Sequence, residues 1–130
     1  MSGKLSRAFS EQQAYELDRL IDRARLSTGL TFSVFVGSTP DGAKPREEAT
    51  RRLREFGDLT TRAVLVYVDP NARALEIVTG SVASGWLDEH ACALAAVTMT
   101  SSFAVGDLAG GIQRGIEQLV GHIAGLRPES

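Results

Sequence analysis

Apolar positions along this chain of 130 residues change period several times, and each change predicts an element. Ala14, Leu17, Leu20, Ile21 and Ala24 recur at helical spacing with Glu16, Asp18, Arg19, Asp22 and Arg23 between them, so one stripe is buried and the rest wetted. Ser10-Glu11-Gln12-Gln13 ahead of that stripe has the form of a capping box, and Gly29 behind it supplies a left-handed stop. Thr31 to Val36 carries aromatic and β-branched residues on both faces, which predicts a strand covered on two sides. A polar loop with Pro40-Asp41-Gly42 as its turn leads to Pro45, well suited to the first position of a second helix. In that helix Glu47 and Glu48 come early and Arg51, Arg52 and Arg54 late, as the dipole favours. Ala49, Leu53 and Phe56 form its buried stripe, and the mixed charges, Arg46 and Glu55 included, read as an ordinary solvated face.

Ala63 to Val68 is apolar throughout, as a central strand is, and a strand-helix-strand order favours parallel pairing with the first. Asp69-Pro70-Asn71-Ala72-Arg73 is short and turn-rich, so Ala74 to Thr79 is predicted to fold back as an antiparallel hairpin strand, with Glu76 marking an edge. Leu87 to Phe103 is alanine-rich and reads as helix, with Gly106 as its stop and Asp107 as the next N-cap. The last helix runs through Leu108, Ile112, Ile116, Leu119, Val120 and Ile123. Its Gly110, Gly111, Gly115 and Gly121 each cost up to about 1 kcal/mol against alanine, which suggests close approach. The expected neighbour is the alanine-rich helix, packed on Gly111 and Gly115; a homodimer through the same glycine-rich face is the alternative.

The fold class expected is therefore α/β, a three-layer α/β/α sandwich. Its small mixed sheet has strands one and two parallel and a hairpin strand three antiparallel, flanked by four main helices. Residues 1–9 read as an N-terminal tail, 10–124 as a single domain and 125–130 as a C-terminal tail. A chain of this length buries roughly two-thirds of its unfolded surface, so its core needs neither disulfide nor metal.

Composition narrows the function classes. The net charge of −2 is divided unevenly: residues 1–62 carry 11 basic and 9 acidic groups, the remainder 3 and 7. Nucleic-acid binding is not expected from so mild an asymmetry, because phosphate neutralisation needs a strongly basic face. The lone cysteine, Cys92, allows no internal disulfide and no CxxC site, which fits a reducing compartment. No stretch reaches the length of a membrane span, and Met1-Ser2-Gly3-Lys4-Leu5 lacks the apolar centre of a signal peptide. The expectation is a cytoplasmic protein.

Three stretches carry a family resemblance: Leu5 to Gly29 (Leu5-Ser6, Ser10-Glu11-Gln12, Leu17, Leu20, Thr28-Gly29), Ala63-Val64-Leu65-Val66-Tyr67-Val68, and Leu75-Glu76-Ile77-Val78-Thr79-Gly80 with Leu87-Asp88. In these the chain resembles the TPM domain family of thylakoid-lumen repair proteins and their bacterial and nematode relatives. Twelve arginines against two lysines would suit a short, soluble actinobacterial branch. The resemblance implies an α/β/α sandwich and a family for which Ca²⁺ or Mg²⁺ binding and weak acid-phosphatase activity have been proposed. Members commonly carry Asp-Asn-Gly before strand two, Gly-x-Gly after strand three and an acidic residue opening the next helix. Gly80 and Asp88 match; Val82 and Leu59-Thr60-Thr61-Arg62 depart.

An antiparallel strand three brings its exit, Thr79-Gly80, to the sheet end where strand two begins, near Asp58 to Arg62. A metal there would draw on Asp58, Asp88 and Glu89, fewer oxygens than Ca²⁺ prefers, and Arg62 would add an opposing positive charge. Ser81, Ser84, Asp88 and His90 suggest a hydrolase triad only superficially, because no strand-turn-helix elbow surrounds them. Gly80 to Gly85 lacks the Lys-Ser/Thr of a phosphate loop. Cys92 reads as a small buried hydrophobe, and His122 as a surface group near a helix C-terminus. Trp86 reads as a lid on the core, with an exposed partner anchor as the other option. The expected function is a non-enzymatic protein-interaction or regulatory module using Gly80, Ser81, Ser84, Trp86 and Asp88, with another protein as partner and no cofactor. The alternative is a weak divalent-metal-dependent acid phosphatase.

Overall fold

The structure is a computed structural model that describes residues 8–127; residues 1–7 and 128–130, which include parts of the two segments read as tails, lie outside the described residues. Helix α1 (Glu11–Thr28) opens on the capping box, Ser10 Oγ accepting from the Gln13 amide and Gln13 Oε1 from the Ser10 amide, and closes on Gly29 with φ of 76°. Strand β1 (Thr31–Val36) follows, then α2 (Pro45–Arg54). A 3₁₀ segment (Gly57–Arg62) leads into β2 (Ala63–Asp69), and a tight turn joins β2 to β3 (Ala74–Thr79). A second 3₁₀ turn (Ala83–Gly85) precedes α3 (Glu89–Ala104) and α4 (Leu108–Leu126).

The sheet order is β1-β2-β3. β1 pairs with β2 in parallel, Thr31 opposite Ala63 and Val36 opposite Val68, and β3 returns antiparallel, Thr79 opposite Val64 and Ala74 opposite Asp69. Every residue of β2 is buried, which is why its sequence shows no alternation.

Two cores follow from the pleat. Phe32, Val34, Val64, Val66, Val68 and Ile77 face one way, onto a cluster supplied by α1, α3 and α4. Phe35, Leu65, Tyr67 and Val78 face the other, where Ala49 and Leu53 of α2 cover them. These are the three layers expected. Phe35 and Tyr67 stack with centroids 5.0 Å apart, and the Arg52 guanidinium lies 3.7 Å from the Phe35 ring centre.

The α2 surface is not the simple solvated face expected. Glu48 is only 4% exposed and receives Arg51 Nη2 at 2.7 Å and Arg52 Nε at 2.9 Å. A buried carboxylate needs such partners, and the two guanidinium groups replace the water that Glu48 loses. The close approach expected between the last helix and the alanine-rich helix is found, and the residues of α3 that meet the glycines are Met99, Ser102 and Phe103. A Cβ on Gly111 would meet Ser102 Cβ at 2.8 Å and the Met99 carbonyl oxygen at 3.1 Å, and one on Gly115 would fall among the Met99 side-chain atoms. Those two glycines are occupied within the fold.

Candidate functional site

The antiparallel return of β3 joins two loops at one sheet end. Gly80 N–H donates to the Ala63 carbonyl at 2.9 Å and Val82 N–H to the Thr61 carbonyl at 2.8 Å. Gly80 is buried there, and a Cβ on it would lie 2.7 Å from the Thr61 carbonyl carbon and closer still to Thr60 O. Glycine is required because two backbones meet. The chain then turns through Ala83–Gly85 to Asp88, whose Oδ1 accepts the Ala91 amide at 2.9 Å as the N-cap of α3.

From that cap α3 runs beside the outer edge of β3 and leaves a groove of about 850 Å³, within the size range of ligand clefts. Its floor is Leu75, Ile77 and Thr79; its far wall is Leu87, Cys92, Ala93 and Ala96; Ser84, Asp88 and Glu89 stand at its rim. Arg46 closes the α2 side, with Nη1 3.2 Å from Glu76 Oε1 and 3.2 Å from the Ile77 carbonyl oxygen.

The expected site residues divide accordingly. Ser84, Asp88 and Glu89 line the groove. Ser81 is exposed, and its carbonyl accepts the Ser84 hydroxyl at 3.0 Å. Trp86 packs half-buried against the core with Arg127 over its ring, 5.6 Å from the centre. Asp58 is exposed on the 3₁₀ segment before β2. Among the described residues no three His, Cys, Asp or Glu side chains are grouped to hold a metal ion, so the Asp58, Asp88, Glu89 set does not form a donor cluster. The Arg62 guanidinium reaches toward Gly29 at the C-terminus of α1, where the helix dipole favours a cation. His122 is exposed on α4, as expected.

A model of the family described as Domain of unknown function (DUF5130) matches residues 2–119. The chain belongs to this family. No curated protein matches the domain significantly. Three NMR structures resemble it in fold. The N-terminal domain of a protein from P. gingivalis has a TM-score of 0.80 at 17% identity, over 90% of this chain and 77% of that one. The N-terminal domain of the cg2496 protein from Corynebacterium glutamicum has 0.74 at 19%, over 94% and 78%. The BA42 protein from the psychrophilic Bizionia argentinensis has 0.81 at 15%, over 94% and 86%.

Two features of the DUF5130 domain lie outside the expectations drawn from the sequence, and a third departs from what its sequence surroundings suggest. Arg46 reaches β3 across 31 residues of sequence, and no local pattern announces it. Asp69, 3% exposed, ties the β2–β3 turn to the loop after β1: Oδ2 accepts the Thr39 amide at 2.7 Å and Oδ1 the Ala72 amide at 3.1 Å. The Asp-Pro-Asn sequence carries that signal, as an Asx turn. Burial pushes the Asp69 carboxyl up, but the Thr39, Ala72 and Asn71 hydrogen bonds outweigh it and leave it below the usual carboxylate range. The third is Cys92, which is half-buried on the groove wall rather than enclosed. Burial raises its thiol above the ordinary value against the pull of Arg46, and nearby Asp88 adds to the rise, so it is a poor nucleophile at neutral pH.

Proposed function

We propose that this DUF5130 domain is a TPM-type protein-interaction module that works in the cytoplasm and binds its partner along the groove between β3 and α3. One observation carries the reading. No charged residue occurs from Ala91 to Val105, yet α3 is a surface helix, with Leu94 49% and Val97 62% exposed. A surface helix normally turns charged residues to water, and exposed apolar side chains beside a cleft mark an interaction site. Ala93 and Ala96 line the groove, and Val97 stands one turn on from Ala93, so the exposed patch adjoins the cleft along the helix. Among the described residues no helix is long and apolar enough to cross a membrane. The metal-dependent phosphatase reading lacks support, because its carboxylates are not gathered.

The test is affinity capture from native host extract with the wild-type chain and with Ala93→Trp, which fills the groove from an exposed position on its helix wall. Loss of a captured protein in the variant, with melting unchanged, is expected. Equal capture by both chains would overturn the reading.

A further inference from the structure

We infer that the partner segment is an extended, largely apolar peptide with a basic residue, bound by strand addition to the outer edge of β3. This rests on the interaction reading above and gives the partner its chemistry.

Gly80 donates to Ala63, its direct opposite, so Gly80, Val78, Glu76 and Ala74 direct their backbone groups to β2. The intervening residues, Leu75, Ile77 and Thr79, therefore direct N–H and C=O groups outward. Among the described residues no strand pairs with that edge. The Ile77 carbonyl confirms the direction, because Arg46 reaches it from outside the sheet. An open edge is a template for another strand, and side chains commonly guard it with charge. Arg46 is that guard: its side chain is 60% exposed and tethered by a surface ion pair to Glu76, a contact easily exchanged for another.

An incoming strand would turn alternate side chains toward Ala93, Ala96 and Cys92, where small residues leave room. The other residues would face Arg46 and Glu76. Rim charge sets the remaining preference: Glu76, Asp88 and Glu89 stand against the single guanidinium of Arg46. A basic residue on the peptide complements that excess.

The experiment is an amide NMR titration and hydrogen-exchange measurement with a defined probe, a nine-residue peptide alternating valine and threonine with one terminal lysine. Binding is expected to slow exchange at Leu75, Ile77 and Thr79 while leaving the β2-paired Glu76 and Val78 unchanged. N-methylation of alternate peptide amides should weaken binding about tenfold or more, since each lost hydrogen bond is worth about a kcal/mol. Equal binding of both peptides, no binding, or shifts confined to Leu94 and Val97 without edge protection would overturn strand addition. So would edge protection that grows with protein concentration alone, which would assign the edge to a second copy. In each of these cases the capture experiment with Ala93→Trp still decides the interaction reading separately.

Discussion

Gly80→Ala is the sharpest perturbation of the frame that holds the groove. The added Cβ would lie 2.7 Å from the Thr61 carbonyl carbon, with Thr60 O nearer still. Carbon atoms in contact sit about 3.5–4.0 Å apart, so one of the two loops must retreat by roughly 1 Å. Both obstructing atoms are backbone, so no side-chain rotation relieves the clash. Retreat weakens the Gly80–Ala63 and Val82–Thr61 hydrogen bonds, 2.9 and 2.8 Å long. Overpacking costs about 1–3 kcal/mol and two weakened bonds about 1 kcal/mol each, roughly 3–5 kcal/mol in all. For a domain of this size that lowers Tm by about 10–20 °C. Differential scanning calorimetry and a urea titration measure it, and a variant melting within about a degree of wild type would refute the reasoning.

The glycines of α4 should separate by neighbourhood. Gly111→Leu, set against Ser102 and the Met99 carbonyl, should lower Tm markedly, whereas Gly121→Ala, with nothing within 4 Å, should gain about 0.5–1 kcal/mol from helix propensity; urea midpoints read both. Asp69→Ala strands the Thr39 and Ala72 amides and should cost about 2–4 kcal/mol by chemical denaturation. For pH, the Arg51 guanidinium bonded to Glu48 lowers its carboxyl against the opposing effect of burial, and Arg114 does the same for Asp107. Groups depressed in the folded state stabilise above their unfolded pKa, near 4, and lose that contribution as pH falls through the lower folded value. Stability should therefore decline below about pH 4, and Glu48→Gln, already lower at pH 7, should show a shallower decline in urea midpoint.

What the sequence made legible was local or periodic. The capping box at Ser10, the left-handed Gly29, the Asp88 and Asp107 caps and the wholly apolar β2 each announce themselves within a few residues. The meeting of Gly80 with Thr60 and Thr61 followed from one topological step, the reversal at Pro70. Arg46 at the β3 edge did not, since nothing in Pro45-Arg46-Glu47 distinguishes a side chain reaching Ile77 from one in water. Glu48 is obscured for a related reason: charge interleaving looks the same whether the carboxylate is solvated or held between Arg51 and Arg52. The groove itself depends on how α3 is placed beside β3, and the exposure of Leu94 and Val97 becomes visible only after that placement.

The measurement that bears most directly on the binding surface is chemical-shift mapping of the domain with the protein captured from native extract. The account predicts perturbed signals clustered at Leu75, Ile77, Thr79, Ala93 and Ala96. Perturbations confined to the outer arginines of α2 or to the Asp58–Arg62 loop, with those five unmoved, would contradict it.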